Sequence, residues 1–539
     1  MFADLHCHPH SRSFSWLRDS RYERKKKHKD KFNPWTVVVS NFKKQELGKR
    51  AFTYSQCDPV KLWNGEVKLV FASLYPFEKG FFMGTKNYDG NILKKALNKF
   101  GEVTPTELFG GNAGKILAGV DQKLARGKTS FKDLFQSILM KMPIRRINYI
   151  QSSAYDYYRE LEKEYRFLTS KSGQKSNAEI FIPRFKDIFM SKKKQAKKHP
   201  DSLIATGTYK VAKNKDQVKQ IIGRGNIAMV LTIEGMHAFG TDTHPHKVLE
   251  RIDAWKKKEY PVFFVTFAHH FNNNLCGHAH SIIKSASLLT DQKAGMNSGF
   301  TDLGREAARR LLSLDENNQF QPRKYGRRIL LDLKHTSASS RKQYYEEIVK
   351  PCMGKGDVIP VIASHVAYSG VKTLVQMEAN YKKETDKFEI KGFNAWNINV
   401  CDQDIEMIVT TRGLMGLCFD QRILGQSKKE NISSIDLIWN TIKATLDVVI
   451  NSKNIPDQQK GRVWDILCLG TDFEGYIDPT DDYPTALEFR DFKKDLKTKI
   501  EAQLVAKNLS DKYRIKGSVS SLVNKICYKN AYDFVQRNF

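Results

Sequence analysis

The stretch Ile227-Ala228-Met229-Val230-Leu231-Thr232-Ile233-Glu234-Gly235 is an apolar run, rich in β-branched residues, that ends in a carboxylate and a glycine. Such a run, closed by a turn residue, reads as a buried β-strand with a chemically able side chain at its end. Seven other segments have a similar build: Phe2 to His6, Val67 to Tyr75, Pro261 to His269, Arg328 to His335, Val358 to His365, Leu414 to Asp420 and Ile466 to Asp472. Amphipathic helical patterns lie between the later ones, at Leu303 to Leu314, Arg341 to Val349, Asp402 to Thr411 and Ile435 to Ile450. Strand and helix in alternation through eight strands predict an α/β fold, a (β/α)8 TIM barrel with a parallel inner sheet.

Two long segments interrupt the alternation, residues 9–64 after the first strand and 77–225 after the second. The second is mainly helical by pattern and rich in Lys, Tyr and Phe, as in Tyr155-Asp156-Tyr157-Tyr158-Arg159-Glu160-Leu161. Insertions after barrel strands emerge at the C-terminal face, so both are expected to form a lid or wall over the mouth. Residues 487–539 read as a helical C-terminal tail, which makes the whole chain, 1–539, one barrel with additions.

Composition narrows the possibilities. An apolar fraction of 40% and an aromatic fraction of 11% suit a folded chain and exclude a disordered one. No run approaches the ~18 consecutive apolar residues of a membrane span. The first apolar run is short and ends in His6, without the basic region or cleavage site of a signal peptide. The 8 cysteines are scattered with no Cys-x-x-Cys pair, so they read as reduced, mostly buried thiols of a cytoplasmic protein. The net charge of +30 is the outlier, and it raises polyanions, anionic membranes and acidic substrates as partners. Its densest runs are Arg24 to Lys31, Lys192 to Lys198 and Lys256 to Lys258. None carries the interleaved aromatics or glycine loops of a nucleic-acid module, so they read as solvated faces, with no specific nucleic acid expected.

The strand ends carry the chemistry. The first is followed by His6 and His8, the third ends in Glu234, the fourth in His269, the fifth in His335, the sixth in His365 and the eighth in Asp472. A single His or Asp after a strand is more often a cap or a satisfied core residue. In a barrel, however, all these ends meet at one mouth, and so many buried polar groups without cations to ligate would be destabilising. The donors exceed one tetrahedral zinc, so two divalent metal ions, zinc by ligand type, are expected. His6 and His8 would hold one, His335 and His365 the other, with Glu234 bridging. A water between the ions would ionise near neutral pH and attack, while Asp472 orients it and passes its proton to the leaving amine. His269 is expected to stabilise the oxyanion rather than to ligate, and Tyr75 to contact substrate. His10, His270, His278 and His280 lack this placement and read as loop residues, and Cys7 should point into the barrel wall and stay inert.

Taken in order, these segments resemble the membrane (renal) dipeptidase family of zinc metallopeptidases, in the amidohydrolase-like barrel superfamily. The likeness runs through Glu234-Gly235, Thr266 to His269 with Asn272, Gly299-Phe300-Thr301-Asp302-Leu303-Gly304, Asp332 to His335, Ser364-His365, Gly470 to Gly475 and Lys529-Asn530-Ala531. The resemblance implies a binuclear zinc dipeptidase that hydrolyses the peptide bond of short peptides, in some members with D-residues at the C-terminal position or with β-lactams, and a homodimer. Two positions depart from the family pattern. His8 stands where the family has an aspartate, and Ile398 stands where an arginine binds the substrate's carboxylate. Arg422, or a lysine from an insertion, is the candidate replacement for that arginine. The alternatives are a related amidohydrolase acting on another amide, lactam or ester, and a basic nucleic-acid-binding protein with the barrel as scaffold.

Overall fold

Strands that are apolar on both faces need cover on both sides, and here they obtain it by closing on themselves. The computed structural model describes residues 1–11, 13–14, 34–35, 55–82, 144–181, 202–282, 290, 292–381, 389–390, 392–425 and 432–539. Its barrel strands are β1 (Phe2–Cys7), β2 (Val67–Leu74), β3 (Ile227–Glu234), β4 (Val262–Thr266), β5 (Leu330–Asp332), β6 (Ile362–Val366), β7 (Leu414–Leu417) and β8 (Leu467–Leu469). Each pairs in parallel with its neighbours, and β1 closes the ring between β2 and β8 through Ala3↔Leu69 and Asp4↔Leu469. The (β/α)8 architecture is therefore present. Every residue of β3 is buried, Glu234 included.

Several strands are shorter than the apolar runs that announce them, although β1 runs one residue further, to Cys7, and β3 keeps its predicted bounds. The fifth ends at Asp332 and not at His335, and the eighth at Leu469 and not at Asp472. His335 and Asp472 take left-handed backbone conformations, φ 64° and 62°, which no extended strand can contain. These residues turn out of the ladder into the mouth.

Helices cover the outside of the ring. Among them are α1 (Tyr157–Ser170), α2 (Lys215–Gly223), α3 (Val248–Lys256), α4 (Asp302–Leu312), α5 (Ala338–Tyr344), α6 (Asp402–Thr410), α7 (Ser434–Asn451), α8 (Phe489–Ile500) and α9 (Asn530–Asn538). The side chains of Asp156, Asn214, Thr301, Ser337 and Ser433 accept N–H bonds at the starts of α1, α2, α4, α5 and α7.

The second insertion contains helices, and also an antiparallel strand pair, Ser176–Phe181 with Ser202–Gly207, that the sequence pattern does not announce. Strand Tyr209–Val211 pairs with the first half of β3, on the side that β4 occupies further along. Helix α1 is pinned to the mouth by buried polar contacts. Glu164 meets His10 Nε2 at 2.8 Å and accepts from the Tyr75 N–H at 2.8 Å, while Glu160 pairs with Arg146 at 2.9 Å. His10 is thus in a turn, as a loop residue should be, yet fully buried.

The tail seals the opposite end of the barrel. Asn530 Nδ2 donates to the carbonyls of Trp464 (2.7 Å) and Leu467 (2.8 Å), and Phe534 and Phe539 meet Phe263 edge to face. One expectation fails in the basic runs. Lys256 is no solvated residue: it is buried and donates to Arg310 O, Ser313 Oγ and Tyr325 O, at the C-terminal end of α4, where the helix dipole favours a cation. Lys258 pairs with Glu162 at 2.7 Å. The runs Arg24 to Lys31 and Lys192 to Lys198 lie outside the described residues. No described helix is long and apolar enough to cross a membrane.

Candidate metal centre

Glu234, at the end of β3, is the hub of the mouth. Its Oε1 lies 3.4 Å from His6 Nε2, 3.4 Å from His269 Nε2, 3.6 Å from His335 Nε2 and 3.6 Å from His365 Nε2. Its Oε2 lies 3.0 Å from His8 Nε2. Asp472 completes the group, 3.8 Å from His6 Nε2 and 3.9 Å from His365 Nε2. All six strand ends named from the sequence are brought together.

These spacings fit ligands of a common ion. Two donors each about 2.0–2.1 Å from a tetrahedral zinc stand about 3.3 Å from one another. The donor atoms fall into three overlapping sets: His6, His8, Glu234 and Asp472; Glu234, His335 and His365; and His269, His270 and His335. Both nitrogens of His6, Nε2 of His365 and Nδ1 of His335 are buried without a hydrogen-bond partner. Orphaned nitrogens of this kind are expensive unless a cation uses them, so the residues fit a metal.

Outer contacts aim the lone pairs. His8 Nδ1 can only donate to the Ser73 carbonyl (2.9 Å), which leaves Nε2 bare towards Glu234. Ser364 Oγ donates to Asp332 Oδ2 at 2.5 Å, so it accepts from His365 Nδ1 (2.8 Å) and again leaves Nε2 bare. Asp332 also accepts from Thr266 Oγ1 (2.6 Å), and Asp4 from Thr471 Oγ1 (2.5 Å) and the His6 N–H (3.2 Å). A buried polar layer thus braces the mouth from below.

Electrostatics separate the roles. Burial alone would raise Glu234, but His269 and His6 outweigh it and hold the carboxyl well below its usual range. Burial, and then the Glu234 charge, push Asp472 up to about 7. Burial holds His335 and His365 well below the ordinary imidazole range, which keeps them neutral, as ligands must be. For His269 burial is outweighed by Glu234 and Glu78, which raise it to about 10.

Other groups at this mouth escaped the sequence reading. Glu78 meets His269 Nδ1 at 2.5 Å, accepts from Tyr75 Oη at 3.2 Å and faces His237 Nδ1 at 3.7 Å. Nothing in the sequence around Glu78 points to it; His237 has one signal, its place three residues past Glu234. His270 lies in a loop as expected, but within the third donor set. The Tyr75 ring borders His8 and His269, with centroids 6.0 and 4.8 Å away. Arg422 is engaged by Asp420, with Nε to Oδ1 at 2.9 Å and Nη2 to Oδ2 at 2.6 Å, and it also donates to the Tyr476 carbonyl. Ile398 is 4% exposed and lines a small pocket with Leu333, Val366 and Ile408. Cys7 is buried, and burial pushes its thiol well above the ordinary value, as suits an inert wall residue.

The molecule is therefore a parallel barrel with a histidine and carboxylate cluster at its mouth. No protein-family model matches the chain, and no curated protein matches it. Among solved structures it is similar to a metallo peptidase from Rhodobacter sphaeroides liganded with a phosphinate mimic of the dipeptide L-Ala-D-Ala, at 12% identity over 100% of this chain and 99% of that one, TM-score 0.47. It is also similar to the probable dipeptidase PvdM from Pseudomonas aeruginosa, at 14% identity over 90% of each chain, TM-score 0.43. An amidohydrolase from Pseudomonas aeruginosa matches at 16% identity over 61% of this chain and 78% of that one, TM-score 0.35. Likenesses so distant say nothing of this chain's chemistry, which its own barrel mouth decides.

Proposed function

We propose that this protein is a metal-dependent hydrolase of amide bonds, a dipeptidase that works with two zinc ions. One observation carries the proposal: five imidazoles converge on Glu234 at 3.0–3.6 Å, with buried nitrogens left unpartnered. His6 and His8 would hold one ion, His335 and His365 the other, and Glu234 would bridge them. Bound there, zinc supplies Lewis acidity and makes water a competent nucleophile near neutral pH. Asp472 accepts and returns the proton, a task suited to a carboxyl pushed up to about 7. His269, braced by Glu78, presents Nε2 to the developing oxyanion. Tyr75 walls the site beside both histidines.

Elemental analysis of protein purified without chelator should find close to two zinc ions per chain. Release of amino acids from L,L and L,D dipeptides should be abolished by Glu234→Gln, and cut by about 10²–10⁴ by Asp472→Asn with the metal retained. Folded protein free of metal would overturn the site. Metal-loaded protein that leaves every dipeptide intact would move the reading to a different amide, lactam or ester, which an imidazole at His8 in place of a carboxylate and the apolar Ile398 would then explain.

A further inference from the structure

Three imidazoles beside the Glu234 hub are not used up by the two-ion arrangement. The ring centroids of His269, His270 and His335 stand 4.0, 4.5 and 4.8 Å apart, with the ring planes steeply inclined to one another. One nitrogen from each ring lies within 4.8 Å of one from each of the others. His269 and His335 are buried, and His270 is half-buried, so solvent reaches the group past His270.

Each ring has one nitrogen committed, which leaves the other for a ligand. His269 Nδ1 donates to Glu78 Oε2 at 2.5 Å, the carboxylate–imidazole pairing that metal-ligating histidines carry, and Nε2 is left over. His270 Nδ1 meets Ser281 Oγ at 2.6 Å, and Gln292 Nε2 donates to the same hydroxyl at 2.8 Å, so Nε2 is again left over. His335 has Nε2 3.6 Å from Glu234, as the second ion requires, while its buried Nδ1 has no hydrogen-bond partner. Two ions leave that nitrogen stranded, and a third would use it. Imidazoles suit zinc, and a set without a carboxylate attracts a dication less than the sets that contain Glu234. We infer that His269, His270 and His335 bind a third, weaker zinc ion, and that this ion inhibits. It replaces the proton on His335 Nδ1, which leaves to solvent, and it occupies His269 Nε2, which the reaction needs for the oxyanion. The inhibition, though not the site, rests on the hydrolase reading above.

Dialysis against rising free zinc, followed by elemental analysis and a peptide-release assay on the same samples, tests this. Wild type should pass from two zinc ions per chain to three, and release should fall as the third is taken up. His270→Gln should stop at two and stay active at every zinc level. Ser281→Ala should need about 10–100-fold more free zinc to take the third ion. Wild type that stops at two, a third ion retained in His270→Gln, or release undiminished by the third ion would overturn the inference. Peptides left uncut at every zinc level, with the third ion still lost in His270→Gln, would instead refute the hydrolase reading alone and leave the site standing.

Discussion

At the scale of single residues, the cluster depends on partners that no local pattern announces. Glu78 lies past the end of β2, and its link to His269 spans 191 residues. Burial would raise its carboxyl, but His269 and His237 outweigh burial and bring it to about 2. A carboxyl lowered by folding stabilises above its unfolded value and loses that contribution as the pH falls. Glu78 should therefore add stability on the order of 3 kcal/mol near neutrality, lost as pH drops from about 4.5 to about 2. The rise of His269 reflects the same pairing and is not added to it. Acid unfolding of wild type and Glu78→Gln checks this: their stabilities should converge over that window, and curves that stay parallel would refute it. The strand-end ligands were legible because each sits at a fixed place in the chain. Glu78 was not, since its role comes from what surrounds it after folding.

At the scale of elements, the alternation of strand and helix was readable from end to end, while strand ends and close contacts were not. The apolar runs continue past the last ladder bonds because the mouth is buried too, so hydrophobicity alone cannot mark where pairing stops. Nor does the sequence show why Gly416 and Gly470 must stay small. A Cβ on either would stand 1.8 or 1.9 Å from the Ser364 carbonyl oxygen, where β6, β7 and β8 crowd together just below His365. Gly416→Ala or Gly470→Ala should cost about 1–3 kcal/mol through forced backbone shifts. Gly354→Ala, where nothing lies within 4 Å, should be neutral or slightly stabilising. Urea unfolding of the three variants decides, and equal stabilities would disprove the crowding.

At the scale of the whole molecule, metal and fold should be coupled without being inseparable. The apolar core runs through the entire barrel and its tail, so the chain should stay folded when zinc is removed. Ligation only to the native state stabilises by about 2.7 kcal/mol at free zinc a hundredfold above Kd. Chelation should therefore lower the unfolding temperature, and zinc alone should restore it; an unchanged temperature would contradict metal binding by the native cluster. The net charge was legible at once, but its two densest runs fall outside the described residues and it bears on none of these contacts. The closure of β1 against β8 has a further consequence, in time. Asp4 and Thr471, which bond across that seam, are 467 residues apart. At roughly 5–20 residues per second of synthesis, His6 is made about 20 seconds to a minute and a half before Asp472. The nascent chain must hold its first strand unpaired on one side throughout, and the complete cluster can take up metal only after Asp472 has emerged.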